Sequence, residues 1–221
     1  MTYNKDHFHD RIPLRTKICL PPSAQNWIVR KRLDQKLKQG SSRKLTLVSA
    51  PAGFGKTTLL IDWINRYQIP VAWVSLDKRD TDVMLLLTYI VLGLQQMEAS
   101  IGNATLTMLR SPQPLPIEPM LTTLLNDIAG ISRELTLVLD DYHLVDSKPI
   151  HDMLSFLMDH QPENMHLIIS TRADPPLPLA RVRSQSHLTE LRAQELSFDL
   201  PETVEFLNQH LDESLSSDDI E

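Results

Sequence analysis

Hydrophobic and polar positions along the chain fall into two alternating patterns. Short runs rich in Val, Leu, Ile and Thr are typical of strands, and longer runs with apolar residues at i, i+3 and i+4 are typical of helices. Regular alternation of the two indicates βαβ units, which build a parallel sheet covered by helices. The predicted strands are Leu45–Ser49, Val71–Ser75, Leu135–Leu139, His166–Ser170 and His187–Leu191.

Helical patterns fill most of the intervals between these strands. A last helix is predicted after Asp199, which suits an N-cap and is followed by Pro201 in the first turn. Four prolines in residues 111–119 indicate an extended connection, and three in residues 173–179 indicate a loop. The other predicted helices are Lys56–Tyr67, Thr81–Met97, Glu118–Gly130 and Ile150–His160.

Composition restricts the class of protein. Of the 221 residues, 42% are hydrophobic and 23% are charged, which is close to globular averages and excludes collagen, a disordered tail and a membrane bundle. The single cysteine, Cys19, excludes an internal disulfide framework and a cysteine-rich zinc site. With no apolar signal segment at the start, we expect a cytoplasmic protein with no membrane partner.

Charge is distributed unevenly about the net value of −6. Residues 1–44 hold eleven Lys and Arg against three Asp and Glu, and the rest of the chain is strongly acidic. An acidic domain is a poor candidate for non-specific DNA binding. The basic stretch around Arg30–Lys38 is either a solvated helix face or a surface that faces phosphates.

The clearest chemical motif follows the first predicted strand. Residues 50–58, Ala-Pro-Ala-Gly-Phe-Gly-Lys-Thr-Thr, match the phosphate-binding pattern G-x-x-x-x-G-K-[ST], with Ala50 in place of the first glycine. Glycines let backbone N–H groups turn toward a phosphate, and the following helix directs its positive end at the same anion. The predicted nucleotide contacts are Ala52, Gly53, Phe54, Gly55, Lys56, Thr57 and Thr58.

Acidic residues after the third strand supply the second half of such a site. We expect Asp140 to hold Mg²⁺ together with the Thr57 hydroxyl, as in P-loop NTPases. The next residue, Asp141, is a candidate to orient or deprotonate an attacking water. An Asp-Asp pair alone is weak evidence, because aspartate also favours turns.

An arginine follows the fourth predicted strand. If that strand lies between the first and the third, Arg172 projects toward the γ-phosphate, where a fork of permanently charged donors suits phosphate oxygens. The alternative is an ion pair with Asp174 or Asp140. The predicted fold is an α/β P-loop NTPase, a three-layer sandwich whose five-stranded, mainly parallel sheet has the order 2-3-4-1-5.

Together these segments resemble the N-terminal nucleotide-binding domain of the MalT-like regulators. These are large LuxR-type transcriptional activators of the STAND class of signal-transducing NTPases. The resemblance runs from about Thr16 to Leu207. The phosphate loop is generic, whereas three other segments are specific in combination: Asp140-Asp-Tyr-His143, His160-Gln-Pro-Glu-Asn164 and Leu179-Ala-Arg-Val-Arg183.

The resemblance implies a switch rather than a metabolic enzyme. In this family ADP holds a resting form, and ATP with a small-molecule inducer gives a self-associating form. Slow Mg²⁺-dependent hydrolysis of ATP resets the switch. Arg30 and Arg32 match the family's entry segment, which implies a position near the nucleotide base.

We divide the chain into three parts. Residues 1–39 are predicted to be a basic arm that packs on the nucleotide site, residues 40–198 the P-loop nucleotide-binding domain, and residues 199–221 the start of a following helical domain. DNA and inducer are expected to bind domains that this chain does not contain.

Two other functions stay open. The chain could be a stand-alone P-loop enzyme such as a small-molecule kinase, although Asp141 beside Asp140 suits attack by water better. It could also be a binding module with a degraded site, although Lys56, Thr57 and Asp140 are all intact.

Overall fold

The structure, a computed structural model, describes residues 13–23, 28–113 and 115–210. In this part of the chain five strands form one sheet in which every pairing is parallel, in the order β2-β3-β4-β1-β5. The predicted α/β fold and strand order are confirmed. The strands are β1 (Leu45–Ser49), β2 (Val71–Ser75), β3 (Leu135–Asp140), β4 (Met165–Thr171) and β5 (Leu188–Arg192).

Helices connect the strands, and short 3₁₀ turns lie at Arg15–Ile18 and Tyr142–Leu144. No helix in the described ranges is both long enough and apolar enough to cross a membrane. The helices are α1 (Lys31–Gly40), α2 (Lys56–Tyr67), α3 (Val83–Gln95), α4 (Asn103–Leu109), α5 (Ile117–Ala129), α6 (Lys148–His160), α7 (Leu179–Ser184), α8 (Ala193–Leu196) and α9 (Leu200–His210).

Helices α3 and α4 are two that differ from the predicted pattern. The α3 helix begins two residues later than predicted, because the Asp82 carboxylate caps it by accepting hydrogen bonds from the N–H groups of Met84 and Leu85. The α4 helix was not predicted at all. Its seven residues are too few to be stable alone, and it depends on packing against α5, where the Thr105 hydroxyl donates to the Met120 carbonyl.

Two apolar clusters, one on each face of the sheet, make up the core. Helices α3, α4, α5 and α6 cover the face that carries Leu47 and Leu137, whereas α1 and α2 cover the face that carries Val48 and Val138. Neighbouring residues of one strand therefore point to opposite faces of the sheet, and both faces are buried beneath helices. The result is the predicted three-layer sandwich.

The described part of the N-terminal region divides between two places. The turn at Arg15–Ile18 packs against β2 and α3, and Lys17 Nζ lies 2.6 Å from Asp80 and 3.0 Å from Asp77. A side-chain hydrogen bond from Arg79, assisted by Lys17, holds the pKa of Asp77 well below its usual range. The α1 helix instead packs on β1 and β5. Residues 1–12, 24–27 and 211–221 lie outside the described residues, and contact of the arm with nucleotide stays a prediction.

The outer edge of the sheet at β5 is lined by charges. Within the described chain β5 pairs only with β1. The carboxylate of Glu190 on β5 accepts two hydrogen bonds of 2.9 Å from Arg183. It also pairs with Arg192, which reaches on to Asp174. The edge strand therefore carries a continuous row of ion pairs.

We expect the substitution Gly102→Ala to destabilise the fold. Gly102 has a φ of +69°, and a Cβ there would lie 2.5 Å from Val91 Cγ1 and 3.3 Å from Leu124 Cδ1. Backbone strain and overpacking together should lower the free energy of unfolding by about 3 kcal/mol, measured by urea denaturation. In the control Gly130→Ala, the nearest atoms lie 3.5 Å away. Equal stability of the two variants would contradict this account.

Candidate nucleotide-binding site

Three strand ends meet at one edge of the sheet. Strand β4 lies between β1 and β3, so that Ser49 is opposite Thr171, and Leu139 is opposite Ile169. This is the strand position on which the prediction for Arg172 depended. The loop after β1, the aspartates after β3 and the arginine after β4 are thereby brought to the carboxyl edge, which is where open α/β sheets bind ligands.

The loop between β1 and α2 has the backbone form that a phosphate cradle requires. Gly53 and Gly55 have φ values of +86° and +68°, which disfavour any residue with a side chain. A Cβ at Gly53 would meet no atom within 4 Å, so the loop opens to solvent there. Ala52 and Thr58 are exposed, whereas Phe54 is half-buried against the apolar cluster that α1 and α2 share.

Lys56 is buried at the base of this loop. Its ammonium donates hydrogen bonds of 2.8 Å to the Ala50 carbonyl and 3.0 Å to the Pro51 carbonyl. Burial lowers the pKa of Lys56, Asp141 opposes that shift, and Arg172 adds to it. An anion in the loop would therefore stabilise the charge on this lysine.

Thr57 and Asp140 are in direct contact. The Thr57 hydroxyl lies 3.0 and 3.2 Å from the two carboxylate oxygens of Asp140, which is 4% exposed. Burial raises the pKa of Asp140, and the hydroxyls of Ser170 and Thr57 oppose the shift. Among the described residues Ser170 Oγ has no partner at hydrogen-bond geometry, although it lies close enough to Asp140 to lower the pKa of that carboxylate.

These two side chains fit a magnesium ion. Mg²⁺ takes oxygen ligands and keeps several waters, so one hydroxyl, one carboxylate and phosphate oxygens suffice in NTPase sites. The described residues contain no group of three or more His, Cys, Asp and Glu that could hold a metal alone. The donor set therefore suits a cation that arrives with a phosphate ligand.

Asp141 and His143 border the same edge. Asp141 has a left-handed backbone with a φ of +58°, and its carboxylate is half-exposed, unlike that of the buried Asp140. His143 Nδ1 lies 3.8 Å from this carboxylate, and neither ring nitrogen has a hydrogen-bond partner among the described residues. Burial lowers the pKa of His143, while Asp141 opposes the shift. His143 was not among the predicted site residues. Its position in the sequence, two residues after Asp141, could have indicated that it lies at the site.

Arg172 lies at the open side of the site. It is exposed, and its charge acts on both Lys56 and His143. The alternative ion pair with Asp174 does not form, because Arg192 holds Asp174. Within the described chain Arg172 has no hydrogen bond or ion pair, which leaves its guanidinium available to a ligand.

Arg30 and Arg32 occupy the N-terminal end of α1. Both contact Glu202 Oε2, Arg30 at 3.1 Å and Arg32 at 3.0 Å, and both donate to the Ser197 carbonyl. The structure thus brings them to the C-terminal segment. Their predicted contact with a nucleotide base remains a prediction.

Comparison with known proteins gives the family. No protein-family model matches the chain. The HTH-type transcriptional regulators MalT of Klebsiella pneumoniae subsp. pneumoniae and of Yersinia pestis are each 33% identical to it over 204 residues, which are 92% of this chain and 22% of each relative. The chain is therefore MalT-like in sequence. This MalT-like chain spans about a fifth of the length of the curated relatives it matches.

Solved structures share the fold of the MalT-like chain. A STAND protein with a tetratricopeptide repeat sensor from Pyrococcus horikoshii superposes with a TM-score of 0.64 at 14% identity, over 89% of this chain and 27% of that one. Cdc6p from Pyrobaculum aerophilum superposes with a TM-score of 0.55 at 18% identity, over 91% and 56%. Identities this low establish the common P-loop fold and nothing finer.

We expect Asp140→Asn to stabilise the empty protein at neutral pH. Because the folded-state pKa of Asp140 is raised, its ionisation costs stability as pH rises through and above its unfolded pKa near 3.8. The amide removes that cost and still accepts a hydrogen bond from Thr57. Thermal unfolding without nucleotide should show a gain of about 1 kcal/mol at pH 7 that shrinks toward pH 4.

The matched control for this substitution is Asp141→Asn at the neighbouring, half-exposed position. We expect its stability to stay within about 0.5 kcal/mol of the unsubstituted protein. If Asp140→Asn instead loses stability at neutral pH, the hydrogen bonds to the ionised Asp140 carboxylate outweigh the cost of its burial, and the prediction is wrong.

Proposed function

We propose that this chain is the ATP/ADP-binding switch module of a cytoplasmic MalT-like transcriptional activator. The observation that carries the proposal is the convergence of buried Lys56, the Thr57–Asp140 pair and exposed Arg172 at one sheet edge. In this proposal nucleotide is the direct ligand. Inducer and DNA bind other parts of the full-length regulator, and its ATP-bound form self-associates.

Phosphate binding is assigned to the loop and the start of α2. Gly53 and Gly55 orient backbone N–H groups toward the phosphates. Lys56 exchanges its contacts with the Ala50 and Pro51 carbonyls for phosphate oxygens. This exchange replaces two neutral acceptors by charged ones, which form stronger hydrogen bonds with an ammonium.

Thr57 and Asp140 are assigned to hold Mg²⁺. When bound, the ion neutralises charge that develops on the phosphates during hydrolysis. Because the Thr57 hydroxyl already lies beside the Asp140 carboxylate, the two side chains need little rearrangement to act together.

Slow hydrolysis is assigned to Asp141 and Arg172. The half-exposed Asp141 carboxylate accepts a proton from an attacking water. Arg172 binds the γ-phosphate and stabilises its charge. Conversion of ATP to ADP then returns the switch to its resting form.

The first test is nucleotide binding by the Lys56→Ala variant. Replacement of a charge-assisted contact should weaken binding of Mg·ATP at least about tenfold in an equilibrium titration. Nucleotide released by denaturing the purified protein, identified by chromatography, should be ADP and should be absent from the variant. The exposed Lys148→Ala is the control, since Lys148 lies on α6, where it pairs with Asp152. No saturation of the unsubstituted protein would refute the proposal.

The second test separates binding from hydrolysis. We expect Asp141→Asn and Arg172→Ala to bind Mg·ATP but to release phosphate at least about 100-fold more slowly, because general-base catalysis and charge stabilisation contribute on that scale. Phosphate release is measured with water as the only acceptor. Turnover that requires an added small-molecule acceptor would favour the kinase alternative.

A further inference from the structure

A buried charge cluster joins the two ends of the described chain. Glu202 Oε2, near the start of α9, accepts hydrogen bonds from Arg30 Nε at 3.2 Å and from Arg32 at 3.0 Å. The side chains of Arg30 and Glu202 are each only 8% exposed. We refer to Arg30, Arg32 and Glu202 as the arginine clamp. It connects residues about 170 positions apart in sequence.

The clamp also fixes the backbone that leads into α9. Both arginines donate to the Ser197 carbonyl, and Arg32 also pairs with Asp199. Glu202 accepts from the Asp199 N–H at 3.2 Å, and Asp199 accepts from the Glu202 N–H at 2.9 Å, which is a reciprocal cap of the helix. The Glu202 carboxylate thus caps the N-terminus of α9 and also links this helix to α1 through the two arginines.

Among the described side chains of α9, only that of Glu202 in the first turn is buried. Beyond Glu202 the described side chains of α9 are half or fully exposed. The exposed Phe206 contacts Phe198, whose ring lies 4.9 Å from the guanidinium carbon of Arg30. Removing one member of a buried ion pair leaves an uncompensated charge, so the hold on α9 depends strongly on the clamp.

The helices beside the clamp and the phosphate loop contribute residues to one apolar cluster. Leu33 of α1 and Leu196 of α8 belong to the same cluster as Ala50, at the start of the loop. Phe54, in the middle of the loop, packs against this cluster. A loop that rearranged around phosphate would therefore alter a cluster to which both α1 and the segment before α9 contribute.

We propose that the arginine clamp is the joint through which occupancy of the phosphate loop controls how firmly α9 is held. Glu202 is a positioning residue in this proposal and does not touch the nucleotide. The proposal rests on the proposed nucleotide binding. Because coupling between two sites is reciprocal, nucleotide tightens α9 to the degree that a firmly held α9 favours nucleotide.

Amide hydrogen exchange over residues 200–210 tests this coupling. The whole chain is measured with and without Mg·ADP at a concentration that titration of the same sample shows to be saturating. In the unsubstituted protein we expect Mg·ADP to slow exchange in α9 about tenfold, a typical size for coupling between sites. In Glu202→Gln we expect Mg·ADP to leave the exchange rate of α9 unchanged. The affinity of this variant for Mg·ADP should fall by no more than about tenfold, which is the expected size of the coupling.

Two further variants keep the result interpretable. Glu205→Gln makes the same chemical change at an exposed position of α9 and should keep the full nucleotide-dependent protection. Glu202→Asp keeps the charge on a shorter side chain, and should retain part of that protection even if Glu202→Gln unfolds. Thermal unfolding of each variant shows whether it is folded.

The outcomes separate the two proposals. Saturable Mg·ADP binding with no change of exchange in α9 would overturn the coupling and leave the proposed function intact. Persistence of the nucleotide-dependent protection in folded Glu202→Gln would also overturn it. Failure of the unsubstituted protein to bind Mg·ADP would overturn both proposals together.

Discussion

Parallel pairing of β4 with both β1 and β3 is the constraint on which the site depends. Strand ends that are far apart in sequence meet at one edge only because all three strands run in the same direction. The phosphate loop, Asp140 and Arg172 are each positioned by the end of a buried strand, so their separations are fixed by the sheet. Loops alone could not hold these groups with the same accuracy.

Two groups at this edge are held in environments that disfavour their charges. Burial lowers the pKa of Lys56 and raises that of Asp140, so both shifts disfavour ionisation in the empty site. A bound phosphate and a divalent cation would relieve both costs. These two buried charges therefore lower the stability of the protein while the site is empty. Such a cost is common where a site is selected for ligand binding rather than for stability.

Much of the sheet could be predicted because buried parallel strands are continuous apolar runs between polar boundaries. The predicted β1 and β2 match the structure, and the ends of the other strands differ by one residue. Helices α4 and α7 could not be predicted in this way, because they are short and depend on tertiary contacts. The phosphate loop was recognisable because its chemistry is local in sequence, and its glycine backbone has the expected form.

Contacts between distant residues were beyond sequence reasoning. Nothing near Arg30 and Arg32 in the sequence indicates Glu202 as their partner, since helix and strand patterns carry no information about pairing over such separations. Lys17 is similar, because its partners Asp77 and Asp80 follow a strand about 60 residues later. In both cases the residue types were visible, and only the fold supplied the contacts.

The row of ion pairs along β5 has a consequence for assembly. An incoming strand from another molecule would have to displace the contacts of Glu190 with Arg183 and Arg192 before it could add to the sheet. Extension of the sheet from one molecule to the next is therefore disfavoured at this edge. A second copy of this chain that approached the β5 side would therefore have to make contact through helices and loops, not through an added strand.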